Sequence, residues 1–149
     1  MNELFAPPES GLLISYLRVS LEDENTGESE SISNQRDLIG CYLKQHPEFT
    51  AYKVMEVVDD GHSGTNFDRP GIKRVLELVR QRKVAAILVK DLSRFGRNYK
   101  EVGSYLEQVF PFLGVRFISV NDGYDSNDYK GTTGGLEVVM RSIIYAAYS

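Results

Sequence analysis

One serine and four arginines stand where the chain leaves its predicted β-strands, and these residue types suit the chemistry of phosphate esters. Arg18 and Ser20 end one apolar run, Arg69 ends a polar loop, and Arg94 and Arg97 follow another apolar run. Arginine stays charged, and its planar guanidinium grips two phosphate oxygens at once. Several arginines around one hydroxyl would lower the pKa of that hydroxyl and stabilise a phosphorane-like transition state. Such a site would need no metal.

Alternating strand and helix patterns must bring these residues together. Apolar runs rich in β-branched residues predict strands at 12–19, 52–58, 85–89 and 115–120. Amphipathic spacing predicts helices at 31–45, from 70, around 102–113 and from 136, with polar loops at 21–31, 59–68, 90–98 and 121–133. This order indicates an α/β fold with an open, mainly parallel sheet of about four to five strands flanked by helices. Ligands of such sheets bind beyond the carboxyl ends of the strands, where the arginines fall.

The composition is that of one globular domain. The chain has 149 residues, of which 42% are hydrophobic and 26% charged, which excludes disordered and collagen-like classes. Its apolar runs are too short to cross a bilayer, and no signal peptide is visible. Cys41, the single cysteine, excludes an internal disulfide and a cysteine zinc site. We expect it to be a core residue of its helix and not a nucleophile. We therefore expect a cytoplasmic location.

The charge balance limits the partners. Seventeen Lys and Arg against twenty-one Asp and Glu give a net charge of −4, whereas a protein that embraces DNA over its whole surface is usually basic. Three interpretations remain open: the protein does not bind nucleic acid, its basic residues are clustered, or a DNA-binding part is missing.

The two ends of the chain differ from its middle. Residues 1–11 have no periodic pattern and predict a flexible leader. The apolar stripe from Leu136 to Ala147 predicts the start of a long C-terminal helix, which has no stop signal. We therefore expect a truncated chain, with the catalytic domain at 12–149 and its last helix continuing in the parent protein.

Three segments carry a family resemblance. YLRVS at 16–20 resembles the Y-x-R-V-S motif of the resolvase/invertase serine recombinases. DDGHSGTNFDRPG at 59–71 and VKDLSRFGRN at 89–98 resemble the second and third motifs of that family, in the same order and spacing. The second motif is most similar to that of the large serine recombinases of mobile elements.

The resemblance implies site-specific DNA recombination. Ser20 would attack a DNA phosphodiester, free a 3′-hydroxyl and form a 5′-phosphoserine link, and subunits would exchange strands and religate without metal, ATP or another cofactor. The positions that match the family's catalytic set are Ser20, Arg18, Arg69, Arg94, Arg97, Asp60 and Gln35. The implied partners are double-stranded DNA at specific sites, bound through a C-terminal region that follows the long helix, and further copies of the protein as a dimer and a synaptic tetramer.

One position departs from the family, and two other functions stay open. Small resolvases often have aspartate directly before the first arginine of the third motif, where this chain has Ser93. The candidates for the general acid or base are then Asp60, or phosphate oxygens and water, whereas Asp91 suits a capping or ion-pair role. The first alternative is a metal-dependent phosphohydrolase that uses Asp59, Asp60 and Asp91. The second is a module that assembles without catalysis.

Overall fold

The structure, a computed structural model, describes residues 11–19, 28–60, 68–96 and 98–129. The strands are β1 (Leu12–Arg18), β2 (Lys53–Asp59), β3 (Val84–Val89), β4 (Arg116–Ser119) and β5 (Tyr124–Asp125). The helices are α1 (Glu28–Gln45), α2 (Pro70–Arg80), α3 (Leu92–Phe95), α4 (Tyr99–Ser104) and α5 (Phe110–Phe112). A π-helical turn at Tyr105–Val109 joins α4 to α5, and 3-10 turns lie at Pro47–Phe49 and Ser126–Tyr129.

The five strands form one sheet in the order β2-β1-β3-β4-β5. The first four strands in that order are parallel, and β5 pairs antiparallel to β4. Every residue of β3 is buried, as expected for a parallel strand that is covered on both faces. The predicted open, mainly parallel α/β sheet is therefore confirmed.

The alternation of side chains along β1 divides the core into two layers. Leu13 and Leu17 point to the layer that α1 covers, with Ile39 of α1. Ile14 and Tyr16 point to the opposite layer, which includes α2 and the helices after β3. Successive residues of a strand face opposite sides of the sheet. The end of β1 is consequently fixed from both faces.

The helical stretch at 99–112 contains an irregularity that the sequence explains. Residues 99–112 are helical as predicted, but the central turn is π-helical, and the Phe110 N–H donates to the Tyr105 carbonyl. Pro111 has no N–H to donate and its ring crowds the carbonyl four residues earlier. We attribute the wider turn to this proline.

Four details of the sequence prediction were wrong. Helix α1 begins at Glu28, three residues before the predicted start at 31. Cys41 is exposed on this helix and does not belong to the core. The predicted loop at 90–98 contains α3, and the one at 121–133 contains β5 and a 3-10 turn. These elements have two to four residues, which is too short for a periodic pattern to reveal.

Residues 1–10 of the predicted leader at 1–11, and the predicted last helix, lie outside the described residues, whereas Gly11 is described and buried. Within the described ranges, no helix combines the length and apolar character that a membrane crossing requires.

Candidate active site

Three arginines converge at the carboxyl edge of the sheet, around the main chain of α3. Arg18 donates from Nε to the Arg94 carbonyl over 3.1 Å and from Nη2 to the Ser93 carbonyl over 2.6 Å. Arg69 donates from Nη1 to the same Arg94 carbonyl over 3.3 Å and from Nη2 to the Phe95 carbonyl over 2.5 Å. Arg94 donates from Nη1 to the Arg18 carbonyl over 2.7 Å. The predicted meeting of arginines from three segments is thus present for Arg18, Arg69 and Arg94.

Each arginine is placed by a different element. Arg18 is the last residue of β1, and Arg94 is the third residue of α3, which follows β3. Arg69 is the N-cap of α2, where the following Pro70 occupies the first turn without losing a hydrogen bond. Because β1 pairs with both β2 and β3 in parallel, the segments that follow the three strands leave the sheet on one side.

Gln35 reaches the same edge from α1. Its side chain is fully buried, its Oε1 accepts the Arg18 N–H over 3.2 Å, and its Nε2 donates to the Arg18 carbonyl over 3.1 Å. Nε2 also donates to the Ser31 hydroxyl over 3.3 Å. Gln35 therefore contacts the main chain of Arg18 much as a neighbouring strand would. The structure brings it to the predicted site, in contact with an arginine backbone.

A buried carboxylate, that of Asp59, lies beside the start of α2, next to the residue that follows Arg69 and Pro70. Asp59 is 3% exposed and accepts from the Tyr16 hydroxyl over 2.6 Å, from the Gly71 N–H over 2.7 Å and from the Ile72 N–H over 2.9 Å. It therefore caps the first turn of α2 from outside the helix. The neighbouring Asp60 is exposed, and its predicted acid or base role stays a prediction. The sequence analysis missed this function of Asp59.

The buried groups around Asp59 have altered proton affinities. Burial raises the pKa of Tyr16, and Asp59 raises it further, although the Arg69 charge opposes both effects. Tyr16 is therefore a neutral hydrogen-bond donor to Asp59. Burial lowers the pKa of Arg69, while Tyr16 and Asp59 oppose that shift. The Arg69 guanidinium lies 5.7 Å from the centroid of the Tyr16 ring, which favours its charged form.

Arg69 has the properties of an anion-binding group. Its side chain is 3% exposed, and its Nε has no hydrogen-bond partner among the described residues. Its two described hydrogen bonds go to carbonyl oxygens, which carry partial charge only. A buried cation without a hydrogen-bonded carboxylate is costly, and a bound phosphate would offset that cost.

The short helix that carries Arg94 is capped by its own aspartate. Asp91 is the N-cap of α3 and accepts from the Arg94 N–H over 3.2 Å and from the Ser93 hydroxyl. Its carboxylate also lies 3.9 Å from Arg94 Nε. The capping and ion-pair role predicted for Asp91 is confirmed by this geometry.

Two of the predicted site residues cannot be placed. Ser20 and Arg97 lie outside the described residues. Across the described ranges, no three His, Cys, Asp or Glu side chains cluster closely enough to hold a metal ion.

Fold and site together define the class of protein. Residues 13–146 match the family model of the resolvase N-terminal domain, and the chain belongs to that family. It is 32% identical over 138 residues to the serine recombinase gin of Escherichia phage Mu, covering 89% of this chain and 62% of that relative. It is 28% identical to the DNA-invertase of Escherichia phage P1, covering 89% and 64% respectively. The chain thus spans less than two thirds of either relative.

Solved structures agree with this assignment. A resolvase family site-specific recombinase from Streptococcus pneumoniae is 26% identical and aligns with a TM-score of 0.66 over 93% of this chain and 89% of the other. The N-terminal catalytic domain of TP901-1 integrase has the same fold, with a TM-score of 0.64 over 92% and 95% and an identity of 23%. The family membership that the three sequence motifs implied is therefore confirmed.

Proposed function

We propose that this chain is the catalytic domain of a serine recombinase that cuts and rejoins double-stranded DNA at specific sites. The observation that carries the proposal is the convergence of Arg18, Arg69 and Arg94 at the carboxyl edge of the sheet. Ser20 follows Arg18 by two residues. Val19, between them, is held by a hydrogen bond of 3.1 Å from its N–H to the Asp59 carbonyl. Arg18 and Val19, the two residues that precede Ser20 in the sequence, are thus held at the edge of the sheet where the arginines meet.

The proposed reaction is a reversible transesterification. Ser20 Oγ attacks the phosphorus of a DNA phosphodiester and loses its proton, and the bond from phosphorus to the 3′ oxygen breaks. The 3′ oxygen takes up a proton, and the 5′ phosphate stays linked to Ser20. Rejoining is the same step with a 3′-hydroxyl as the nucleophile. One ester replaces another, so no ATP or other cofactor is needed.

The arginines would stabilise the negative charge of the transition state. A guanidinium has five N–H donors, and Arg69 uses two of them on carbonyl oxygens within the described residues. The carbonyl contacts fix its plane and leave further N–H groups for phosphate oxygens. Preorganised donors of this kind supply a large part of enzymatic rate enhancement. Arg97 would add a fourth guanidinium, and Asp60 would orient arginines or accept a proton.

The net charge of −4 bears on how the DNA is held. A chain this acidic, with three arginines converging at one edge of the sheet, suits a catalytic domain that acts on DNA bound by another region. We propose that a C-terminal DNA-binding region supplies most of the affinity, and that the full protein works as a dimer and a synaptic tetramer in the cytoplasm.

The test is the covalent intermediate. The full recombinase is incubated with DNA from the ends of its own element, without added metal and with a chelator, and is then denatured on a gel. We expect a protein–DNA adduct from the unaltered protein and from Ser104→Ala, a control serine that is exposed on α4. We expect none from Ser20→Ala. Arg69→Ala should slow adduct formation by on the order of a hundredfold or more, as loss of a transition-state donor does.

Other outcomes would select the alternatives. Cleavage that requires magnesium and persists in Ser20→Ala would indicate a phosphohydrolase, although Asp59, one of the three carboxylates in that alternative, already accepts three hydrogen bonds. No adduct on DNA that the unaltered protein binds would indicate an assembly module without catalysis.

A further inference from the structure

The chain between β3 and α3, which leads to Arg94, is hydrogen-bonded to the turn that follows β4. The Val120 N–H donates to the Val89 carbonyl over 3.0 Å, and the Asn121 N–H donates to the Lys90 carbonyl over 2.8 Å. The parallel pairing of β3 and β4 thus continues beyond the ends of both strands. Whatever fixes the turn after β4 therefore also fixes the backbone that leads into α3.

Asp122 makes the next contact in this series through its side chain. Its Oδ2 accepts the N–H of Leu92, the first residue of α3, over 2.8 Å. The same oxygen accepts the hydroxyl of Ser119 over 2.5 Å. Ser119 is fully buried at the end of β4, so the carboxylate is tied to the sheet on one side and to α3 on the other.

The turn geometry holds the Asp122 carboxylate in this position. Gly123 has a φ of 62°, in the left-handed region that favours glycine. Its N–H donates to the Val120 carbonyl over 3.2 Å, which closes the turn. Asp122 is therefore held by backbone on both sides, and its side chain is directed back toward the start of α3.

The contact matters because α3 has only four residues. A helix this short has little stability of its own, so its orientation depends on contacts with the rest of the protein, among them those at its first N–H groups. Asp91 takes the Arg94 N–H and Asp122 takes the Leu92 N–H. The Arg94 guanidinium lies at the far end of this turn and donates to the Arg18 carbonyl.

We propose that Asp122 is a positioning residue for Arg94: by holding the first N–H of α3 it sets where the Arg94 guanidinium meets the scissile phosphate. This inference rests on the proposed recombinase function. Asp122 lies outside the three motifs and touches no arginine directly in the described contacts, so its effect passes through the backbone of α3.

The test separates positioning from general stability in the full recombinase. Three variants are compared: Asp122→Ala, which removes the acceptor; Asp122→Asn, which keeps one oxygen able to accept both hydrogen bonds; and Asp125→Asn, a control carboxylate of the same hairpin that contacts Arg116 instead. The measurements are the rate of adduct formation at saturating DNA, the Kd for the same DNA, and amide hydrogen exchange at Leu92. A misplacement of a reacting group by about 1 Å costs on the order of a hundredfold in rate.

We expect Asp122→Ala to lose about ten- to a hundredfold in adduct formation, to keep its Kd, and to lose exchange protection at Leu92. Asp122→Asn should recover most of the rate, and Asp125→Asn should cleave at the unaltered rate. Normal cleavage by Asp122→Ala, or an equal loss in Asp125→Asn, would overturn the inference while leaving the proposed function intact. No adduct from the unaltered protein on DNA that it binds would overturn the proposed function, and the inference with it.

Discussion

Replacing the buried Asp59 should destabilise the protein strongly, although the neighbouring aspartate, Asp60, is exposed. The Asp59 carboxylate accepts from one hydroxyl, that of Tyr16, and from two backbone N–H groups at the start of α2. In Asp59→Asn the side chain has one oxygen, so either orientation sets its NH2 against at least one backbone N–H. A buried donor without an acceptor costs about 1–3 kcal/mol. We expect Asp59→Asn to lower the free energy of unfolding by that amount.

Two further variants make the estimate specific. Tyr16→Phe removes one donor and leaves the two backbone contacts, so we expect a loss of about 1 kcal/mol. Asp59→Ala leaves three donors without their acceptor, one of them partly accessible to water, and we expect a loss of about 3–5 kcal/mol. Typical domains have a total stability of about 5–15 kcal/mol. The Asp59→Ala protein should thus be only marginally stable, so Asp59→Asn is the better variant for a measurement.

Urea unfolding followed by circular dichroism gives the free energies, provided that the slope with urea is unchanged. The matched control is Asp68→Asn, an exposed carboxylate whose partner is Lys73, for which we expect no measurable change. If Asp59→Asn unfolds at the same urea concentration as Asp68→Asn, the Asp59 contacts do not stabilise the start of α2, and the reasoning is refuted.

Two other predictions concern stability. Gly71→Ala should lower the free energy of unfolding by about 1–3 kcal/mol, because a Cβ there would lie 2.6 Å from Asp59 Oδ1. Gly40→Ala should stabilise the protein, because the new Cβ would meet no atom within 4 Å beyond its own helix. Equal melting temperatures for the two variants would contradict this prediction. Burial opposes ionisation of Asp125, but hydrogen bonds from Arg116 outweigh it and set the pKa of Asp125 below its ordinary value. The ionised Asp125 therefore adds its full stabilisation of the folded state at pH values above the ordinary carboxyl pKa of about 4. That stabilisation is lost as the pH falls below this value. Asp125→Asn should be less stable at pH 7 and should approach the unaltered chain as the pH falls, in urea titrations; a gap that widens in acid would contradict the sign.

The fold was predictable because the strands and long helices are long enough to show their periods. The apolar run at β3 and the spacing of Ile72, Val75 and Val79 in α2 identify a buried parallel strand and an amphipathic helix. The position of three arginines at one edge followed from the parallel order of the strands. Short elements such as α3 and β5 gave no such signal, and contacts made through backbone carbonyls cannot be read from side-chain types.

The choice between two adjacent aspartates shows how sensitive a site prediction is to a strand boundary. The sequence predicted that β2 ends at 58, which leaves Asp59 and Asp60 equivalent in a loop. In the structure β2 continues through Asp59, and alternate residues of a strand share a face. Val57 and Asp59 are consequently buried, whereas Val58 and Asp60 are not. One residue of strand therefore decides which carboxylate contacts α2.

The contacts around α3 also show what Ser93 does at the position where the family resemblance led us to expect an aspartate. Arg18 and Arg69 are held by the carbonyls of Ser93, Arg94 and Phe95, so their placement depends on the backbone of α3 and not on the side chain at 93. That backbone is fixed from inside by the buried Phe95 ring, whose centroid lies 5.0 Å from that of Phe117. A serine at position 93 can therefore replace an aspartate without moving the arginines, and its hydroxyl instead donates to Asp91. The placement of Arg18 and Arg69 therefore does not depend on an acid or base at position 93.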